Sequence, residues 1–363
     1  MDRELPLVPT IIFLASIVFC IGLYMQRISA FSIPVVGQMF YQSGSLHALF
    51  GNQVLDLKQD RVRLSLDELN IDRHVGQLGV DHNGNLFVNK GGQSTSLIHK
   101  WKRFNRQKDS EPNGSEGSLL NCDSLNSCQP WGDASLSFDT AWSMFNTGDG
   151  QYLIADTARH RMHLVAPSGN VLHTLEGFNF PNHVFQYQES DWVVNTNGNN
   201  LIELTINGGA LARTGNTISL RGYAGVPDDY KFPSMAFSTH VDGESSLVVL
   251  THPNGMNRGK IFQLRGESAS PLLAQLNDIS TIELHENILY AADYETHALW
   301  STNLITGETS RLDRNAFDHA LQNSKTVADR EFKYFIAYAS IIMTVGFLAL
   351  FHSLFKSKPA VDR

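Results

Sequence analysis

The 363-residue sequence contains neither a glycine-rich phosphate-binding loop nor a nucleophile-elbow motif. These absences exclude the best-known signatures of nucleotide-binding proteins and α/β-hydrolases. The sequence also lacks a basic patch with interleaved aromatic residues, and its net charge of −8 comes from acidic residues scattered along the chain. Because a nucleic-acid partner requires concentrated positive charge, we expect none.

Cysteine is also scarce, with three residues in the chain. Cys20 lies in an apolar segment, while Cys122 and Cys128 are six positions apart in a polar, loop-like run. In an oxidising compartment this spacing favours a small local disulfide. A metal pair is the alternative, but no further cysteine is available and the nearest histidine is His99. We therefore predict a disulfide.

Two long apolar segments bracket a polar middle region. The first covers residues 7–25 without a charge, and the second covers residues 334–355, interrupted only by His352. A helix needs roughly 20 apolar residues to cross about 30 Å of hydrocarbon. The sequence therefore predicts two transmembrane helices, and we expect them to lie side by side, with Gly22 and Gly346 allowing close approach.

The basic residues outside the second segment predict its orientation. Lys356 and Lys358 follow it, whereas the charges just before it nearly cancel. Positive charge is retained in the cytoplasm, so residues 356–363 are expected there. Two spans then place residues 1–6 on the same side, and the polar middle region lies outside the cytoplasm.

A cleaved signal peptide is the alternative interpretation of the first segment. Its apolar core is long, the residues before it carry no net positive charge, and the small-residue site at Ser29 and Ala30 is weak. We therefore predict an uncleaved anchor and a two-pass protein. The predicted location is a bacterial inner membrane, with the middle region in the periplasm, rather than a eukaryotic secretory membrane.

The polar middle region contains an internal repeat. A short β-rich strand recurs five times, each time after a polar turn and before a second apolar run. Repeated strands and turns at such intervals are typical of the blades of a β-propeller. The five strands cover residues 86–89, 152–156, 192–195, 247–250 and 289–293.

One of these blades, residues 152–175, resembles the NHL repeat of a β-propeller family. That repeat has a hydrophobic strand ending in Ala-Asp, then Asn/Arg-His-Arg, a second hydrophobic strand and a glycine turn. The blade that starts at Leu289 retains only part of the pattern, Ala292, Asp293 and His297. The matching residues in the first blade are Ala155, Asp156, Arg159, His160, Arg161, Leu164, Val165, Gly169 and Asn170.

The resemblance implies an all-β, NHL-like propeller of about six blades, flanked by the two apolar helices. In the repeat, the Asp and the Arg-His-Arg residues usually tie adjacent strands together by hydrogen bonds. This implies a structural rather than a catalytic role for Asp156, His160 and His163.

Five blades are visible, so the sixth must come from the ends of the repeat region. We expect residues 47–66 to complete it with a strand near residues 309–312, because a ring closed by both chain ends removes exposed sheet edges. The predicted propeller covers residues 47–315. Residues 26–46 are then a juxtamembrane segment and residues 316–333 a linker.

A polar insertion at residues 105–133 separates the first two visible blades. It is rich in Ser, Asn, Gly and acidic residues, and long loops in compact domains are often functional. Leu119, Leu120 and Trp131 are its candidate partner-binding residues. A solvated surface excursion without a function is the alternative.

Enzymes exist on this scaffold, so the function depends on the central channel. Gluconolactonase-like propellers, which resemble this fold, hold a calcium ion through Glu, Asn and Asp, and amidating lyases of the NHL-like group use His and a metal. Aligned on the repeated strands, the positions where the innermost strands open are Gln77, Ser143, His183, Ser234 and Thr281.

These positions offer one histidine and no convergent carboxylates. Calcium needs several oxygen ligands, and zinc needs three or four His, Cys or carboxylate groups. We therefore predict no metal and no cofactor, and a scaffold that binds an envelope protein or a glycan, or serves as an accessory subunit of a membrane complex. A metal-dependent lactonase or lyase is the alternative, and metal bound through His183 would indicate it.

Two further groups have both a functional and a structural interpretation. Asn195 and Asn199 lie in an asparagine-rich run that could bind a cation or a sugar, but such a run is more typical of a turn with positive φ. His240 and His252 flank one strand, and two histidines are too few for a metal site. We expect turn residues and surface histidines, respectively.

Overall fold

The computed structural model describes residues 7–31, 33–69, 71, 77–89, 119–123, 127–133, 136, 138, 142–241, 243–254 and 257–356. The chain forms two compact units. One consists of helices from the two chain ends, and the other spans Val35–Asp318.

The helical unit contains α1 (Leu7–Phe31) and most of α2 (Asn315–Lys356), whose first turn, up to Asp318, belongs to the propeller unit. Within the described residues, α2 is the one helix long and apolar enough to cross a membrane, with a mean hydropathy of 2.0 in its most apolar stretch. The described apolar part of α1, Thr10–Tyr24, is shorter. One candidate span is therefore found, and the second transmembrane helix remains a prediction.

The expected linker at residues 316–333 is instead the helical start of α2. Its sequence contains no glycine or proline and is rich in good helix formers such as Ala, Leu, Gln, Lys, Arg and Glu. The linker was expected from the position of these residues between the propeller and the second apolar segment, and the structure shows that this connection is helical.

Helices α1 and α2 pack against each other in antiparallel directions. The rings of Tyr24 and Phe335 lie 5.6 Å apart, and a Cβ atom added at Gly346 would lie 2.7 Å from Ser16 Oγ. The side-by-side arrangement is confirmed, with Gly346 at the contact. Gly22 has no neighbouring atom within 4 Å of the corresponding position and does not contribute.

The second unit is a β-propeller of six four-stranded antiparallel sheets, named blades I to VI, in which the strands follow chain order. The six-bladed, all-β fold is confirmed. Blade I contains β1 (Val36–Gln42), β2 (Ser45–Phe50), β3 (Gln53–Asp56) and β4 (Arg61–Ser65). Blade II contains β5 (Gly79–Val80), β6 (Leu86–Asn89), β7 (Leu119–Cys122) and β8 (Cys128–Trp131). Blade III contains β9 (Trp142–Asn146), β10 (Tyr152–Asp156), β11 (Arg161–Val165) and β12 (Val171–Glu176).

The remaining three blades follow the same pattern. Blade IV contains β13 (Pro181–Tyr187), β14 (Ser190–Asn195), β15 (Asn200–Asn207) and β16 (Ala210–Ser219). Blade V contains β17 (Phe232–Val241), β18 (Glu244–His252), β19 (Lys260–Arg265) and β20 (Ser268–Leu272). Blade VI contains β21 (Ile279–His285), β22 (Ile288–Asp293), β23 (Ala298–Asn303) and β24 (Thr309–Leu312).

The core lies between neighbouring blades. The second strands are buried on both faces, and every residue of β10 is buried. Leu153 and Met162 of blade III, for example, share a cluster with Val184 and Val193 of blade IV. Such near-continuous apolar strands are what a sheet covered on both sides requires.

The expected ring closure by a shared strand is wrong. Blade I is formed by residues 36–65 alone, and β24 pairs with β23 inside blade VI. The propeller begins at β1 rather than at residue 47, because Ser43 and Gly44 form a tight turn with φ of 50° and 75° that pairs β1 with β2. Two residues with positive φ are the geometry that favours a two-residue hairpin.

The end of the polar insertion also differs from expectation. Strands β7 and β8 belong to the sheet of blade II, and Leu119 and Leu120 are buried there rather than lying in a loop, as we had expected of these candidate partner-binding residues. Cys122 and Cys128 lie opposite each other on these strands and form the predicted disulfide. Residues 105–118 and 124–126 of the insertion lie outside the described residues.

Trp131 is half-buried at the boundary between blades II and III. Its ring lies 4.7 Å from Phe87 and 5.5 Å from Tyr152, and Nε1 donates a hydrogen bond to the Pro167 carbonyl (3.1 Å). Its aromatic surface is therefore used mainly to join two blades.

The helix packing can be tested with the free Cys20, whose Sγ lies 3.9 Å from the Ala339 carbonyl oxygen. We expect Ala339→Cys to form a disulfide with Cys20 under mild oxidation. Adding Gly346→Ile should lower the crosslinked fraction severalfold, because the new side chain collides with Ser16. Gly22→Ile is the matched control and should leave crosslinking unchanged; equal effects of both substitutions would contradict this packing.

Candidate functional site

The first strands of the blades, β1, β5, β9, β13, β17 and β21, are the innermost strands of the ring; β5 contacts β9, β9 contacts β13, β13 contacts β17, β17 contacts β21, and β21 contacts β1. Four of the five positions selected from the sequence lie on them, and Gln77 lies two residues before β5. Ser143 and Thr281 are buried, and Thr281 Oγ1 donates to Met235 Sδ (3.4 Å).

A β-bulge recurs near the start of the innermost strand in blades I, IV, V and VI. His183 and Ser234 both lie in such bulges. A bulge adds one residue to a strand and re-aims its side chain, which is why bulges often occur next to binding sites.

Several polar side chains of this inner ring bind the backbone of the next blade. In each case a side-chain acceptor receives a hydrogen bond from a backbone N–H of the neighbouring innermost strand or of the residue just before it. The acceptor and donor pairs are Gln38 Oε1 with Leu78 N (2.6 Å), Gln77 Oε1 with Trp142 N (3.0 Å), His183 Nδ1 with Ala236 N (3.4 Å) and Glu283 Oε1 with Tyr41 N (3.1 Å).

At the two remaining interfaces the bonds come from connecting segments. Phe180 N donates to His160 Nδ1 between blades III and IV (3.1 Å), and Gly259 N donates to Asp278 Oδ1 between blades V and VI (3.2 Å). Each interface of the ring therefore has a hydrogen bond between a side chain and the backbone of the neighbouring blade. Two of the channel candidates, Gln77 and His183, are acceptors in this system.

The hydrogen bond to His183 determines which ring nitrogen carries the proton. Because Nδ1 accepts from a backbone N–H, the proton of the neutral ring is on Nε2. A metal-bound histidine has the opposite arrangement, in which the second nitrogen donates to its neighbour. Desolvation by the surrounding protein lowers the pKa of His183 to about 4, so the ring is neutral at physiological pH.

Glu283 is the carboxyl group of the inner ring. Desolvation raises its pKa to about 8, although the Tyr41 N–H bond acts in the opposite direction. The carboxyl is therefore protonated at neutral pH and is a poor cation ligand. Within the described ranges no three His, Cys, Asp or Glu side chains converge on a position for a metal ion. The donors present there do not fit the calcium or zinc site of the alternative function.

The structure also pairs Ser234 with His252, which the sequence did not suggest. His252 is buried, and its Nε2 lies 2.9 Å from Ser234 Oγ, the separation of a nucleophile and its base. Ser234 and His252 are only 7% and 4% exposed, which leaves a substrate little access. The expectation that His252 is a surface histidine is wrong, whereas His240 is exposed as expected.

The position of His252 in its blade indicates a structural role. It pairs with the first residue of the innermost strand, as a polar residue does in three other blades. The sequence predicted a strand ending at Leu250, whereas β18 continues to His252. The equivalent residues are Asp156 in blade III, Asn195 in blade IV and Asp293 in blade VI.

Asp156 is fully buried and is held by three basic side chains. Its Oδ2 lies 3.0 Å from both Arg159 Nη1 and Arg161 Nε and 3.7 Å from His163 Nε2. Burial alone would raise the pKa of Asp156, but His163 and the two arginines outweigh it and hold the pKa below its usual value. With the bond from His160 to blade IV, these contacts are hydrogen bonds of the kind that the NHL resemblance implied.

The asparagine-rich run is a turn, as predicted. Asn199 has a φ of 59°, the left-handed conformation that asparagine tolerates well. Asn195 Oδ1 accepts from Asn179 N (2.6 Å), and Asn195 Nδ2 donates to Asn200 Oδ1 (2.9 Å). The amide groups of Asn195 are thus used within the fold.

The chain was compared with protein families, curated proteins and solved structures. No protein-family model and no curated protein matches the sequence. Similar solved structures include a virginiamycin B lyase from Staphylococcus aureus, at 8% identity over 77% of this chain and 84% of that chain, with a TM-score of 0.49. A gluconolactonase from Xanthomonas campestris is 15% identical over 72% of this chain and 84% of that chain, with a TM-score of 0.47.

A chain of a nidogen/laminin complex is 14% identical over 76% of this chain and 91% of that chain, with a TM-score of 0.44. These similarities are too distant to transfer a ligand or a reaction to this chain. The six sheets and their ring of inter-blade bonds themselves define the protein as a six-bladed β-propeller.

The protonated state of Glu283 predicts a pH dependence of stability. A folded pKa of about 8, against the ordinary 4.5, means that the carboxyl contributes stability fully below pH 4.5 and loses it as the pH rises through 8. Glu283→Gln keeps an acceptor for Tyr41 N but cannot ionise. We expect its thermal midpoint to match the wild type near pH 4 and to exceed it increasingly toward pH 9, by a free energy on the order of a few kcal/mol.

Thermal unfolding of both proteins across this pH range measures the effect. The matched control is Glu286→Gln, because the side chain of Glu286 is 79% exposed. Parallel pH profiles of wild type and Glu283→Gln would show that the carboxyl is ionised in the folded protein at neutral pH.

Proposed function

We propose that this protein is a membrane-anchored β-propeller that acts as a scaffold and binds another envelope or membrane protein. The observation that supports this most directly is the use of the inner-ring side chains as acceptors between blades. If these side chains served as catalytic groups, they would have to give up their hydrogen bonds between blades, and the fold would be weakened. Recognition is therefore assigned to outward surfaces and to the helices.

The membrane part of the proposal rests on α2, whose apolar stretch can cross a bilayer. The antiparallel contact of α1 with α2 supports a hairpin of two spans, with both chain ends in the cytoplasm. The Cys122–Cys128 disulfide supports an oxidising compartment for the propeller, such as the periplasm. A glycan is the second type of ligand that such a propeller can bind.

The alternative, a metal-dependent lactonase or lyase, requires ligands that the described inner ring does not supply. His183 presents a protonated Nε2, and Glu283 is a neutral acid at physiological pH. A metal site would require both groups to change state and to release their backbone partners. This is a chemical reason to favour the scaffold.

One experiment separates these functions. We would purify the full-length protein in mild detergent, measure calcium and zinc by elemental analysis, and determine the mass and composition of the purified particle. We expect no stoichiometric metal and a defined complex with a second membrane or envelope protein that re-forms from the separated components.

Two variants make the result decisive. His183→Ala removes the channel histidine, and His240→Ala removes an exposed one as a control. One metal ion per chain that is lost in His183→Ala and retained in His240→Ala would overturn the scaffold in favour of a channel enzyme. If the purified protein is a monomer that binds a glycan and no protein, the ligand is a glycan.

A further inference from the structure

The boundary between blades I and VI is the one place in the ring that the chain does not bridge. Every other pair of neighbouring blades is joined by the segment that leads from one blade to the next. Blade I comes entirely from residues 36–65 and blade VI from residues 279–312, and they share no strand. This boundary, the seam, must therefore be closed by non-covalent contacts alone.

The innermost strands make three contacts across the seam. Glu283 Oε1 accepts from Tyr41 N (3.1 Å), and Ser280 Oγ donates to the Val36 carbonyl (3.2 Å). The rings of Tyr41 and His285 stack with centroids 3.5 Å apart and planes 10° apart. These contacts join β1 to β21 near both ends of the strands.

A further closure comes from the first turn of α2, which follows blade VI in the chain but contacts blade I. Asp60 lies in the turn between β3 and β4, and its Oδ1 accepts from Ala316 N (2.5 Å) while its Oδ2 accepts from Asn315 Nδ2 (2.8 Å). The first N–H groups of a helix have no partner within the helix, and a carboxylate there is favourable. Asp60 thus caps α2 from another part of the chain.

An apolar contact reinforces this cap. Phe317 is 3% exposed, and its ring meets Phe50 of blade I edge-on at 5.2 Å between centroids. The turn that carries Asp60 is fixed by a positive φ of 54° at Asp60 itself. One polar and one aromatic contact therefore hold the same helical turn, Asn315–Asp318, on blade I.

We propose that the first turn of α2 is a strap that closes the propeller ring in place of a shared strand, and that its release opens the seam. The strap residues belong to the propeller unit, Val35–Asp318. The proposal concerns the propeller itself and does not depend on the scaffold function.

Hydrogen exchange of the full-length protein in detergent tests the strap. Asp60→Ala removes the cap, and Phe317→Ala removes the aromatic contact. We expect each to increase the exchange rate of peptides from β1 and β21 on the order of tenfold, since losing a helix cap favours local opening to about that extent. Peptides from β9 and β13, on the opposite side of the ring, should exchange as in the wild type.

Two further variants make the outcome interpretable. Asp313→Ala changes an aspartate of the same segment whose side chain is 87% exposed, and it should have no effect. Asp60→Asn keeps one acceptor for Ala316 N, so it should increase the exchange rates of β1 and β21 less than Asp60→Ala does. If Asp60→Ala fails to fold, Asp60→Asn is the variant that tests the strap. Unchanged exchange at β1 and β21, or equal acceleration in all blades, would overturn the strap.

Discussion

Innermost propeller strands are edge strands, and their backbone N–H groups must find acceptors away from the sheet to which they belong. In this protein the acceptors are side chains of the neighbouring blade, with Gln38, Gln77, His183 and Glu283 in equivalent roles. A buried N–H without a partner destabilises a fold by about 1–3 kcal/mol. The polar side chains of the inner ring are therefore explained by the need of these backbone N–H groups for hydrogen-bond acceptors.

A second set of polar side chains holds the segments that lead into the innermost strands. Asn89 Nδ2 donates to the Phe138 carbonyl, Asn195 accepts from Asn179 N, and Asp293 accepts from Asp278 N. Neutral and acidic residues hold similar segments. The polar residue that recurs at the end of the second strand is therefore explained by its structural role in each blade. It does not by itself indicate a repeated ligand site.

The sequence predicted the features that local signals determine. The strand rhythm revealed five blades, the turn around Asn199 was recognised from its asparagines, and the spacing of Cys122 and Cys128 predicted the disulfide. The interactions of Asp156 followed from its resemblance to a known repeat. In each of these cases the relevant residues lie within one blade.

Other features depend on residues that are distant in the chain. The acceptor for Tyr41 N is Glu283, on the last blade, and no local pattern connects them. Leu119 and Leu120 were assigned to a loop because polar sequence surrounds them, whereas the sheet of blade II buries them. Asp60 could not be recognised as a helix cap, since it caps a helix that begins more than 250 residues later.

The central claim is that side-chain acceptors satisfy the innermost strands. The most direct measurement is the free energy of unfolding of Gln77→Met, which keeps the shape of the side chain and removes the acceptor for Trp142 N. Gln186→Met, on the exposed face of β13, is the matched control. The account predicts a loss of about 1–3 kcal/mol for Gln77→Met and almost none for the control, because a buried N–H is left without a partner. Equal stability of the two variants would contradict it.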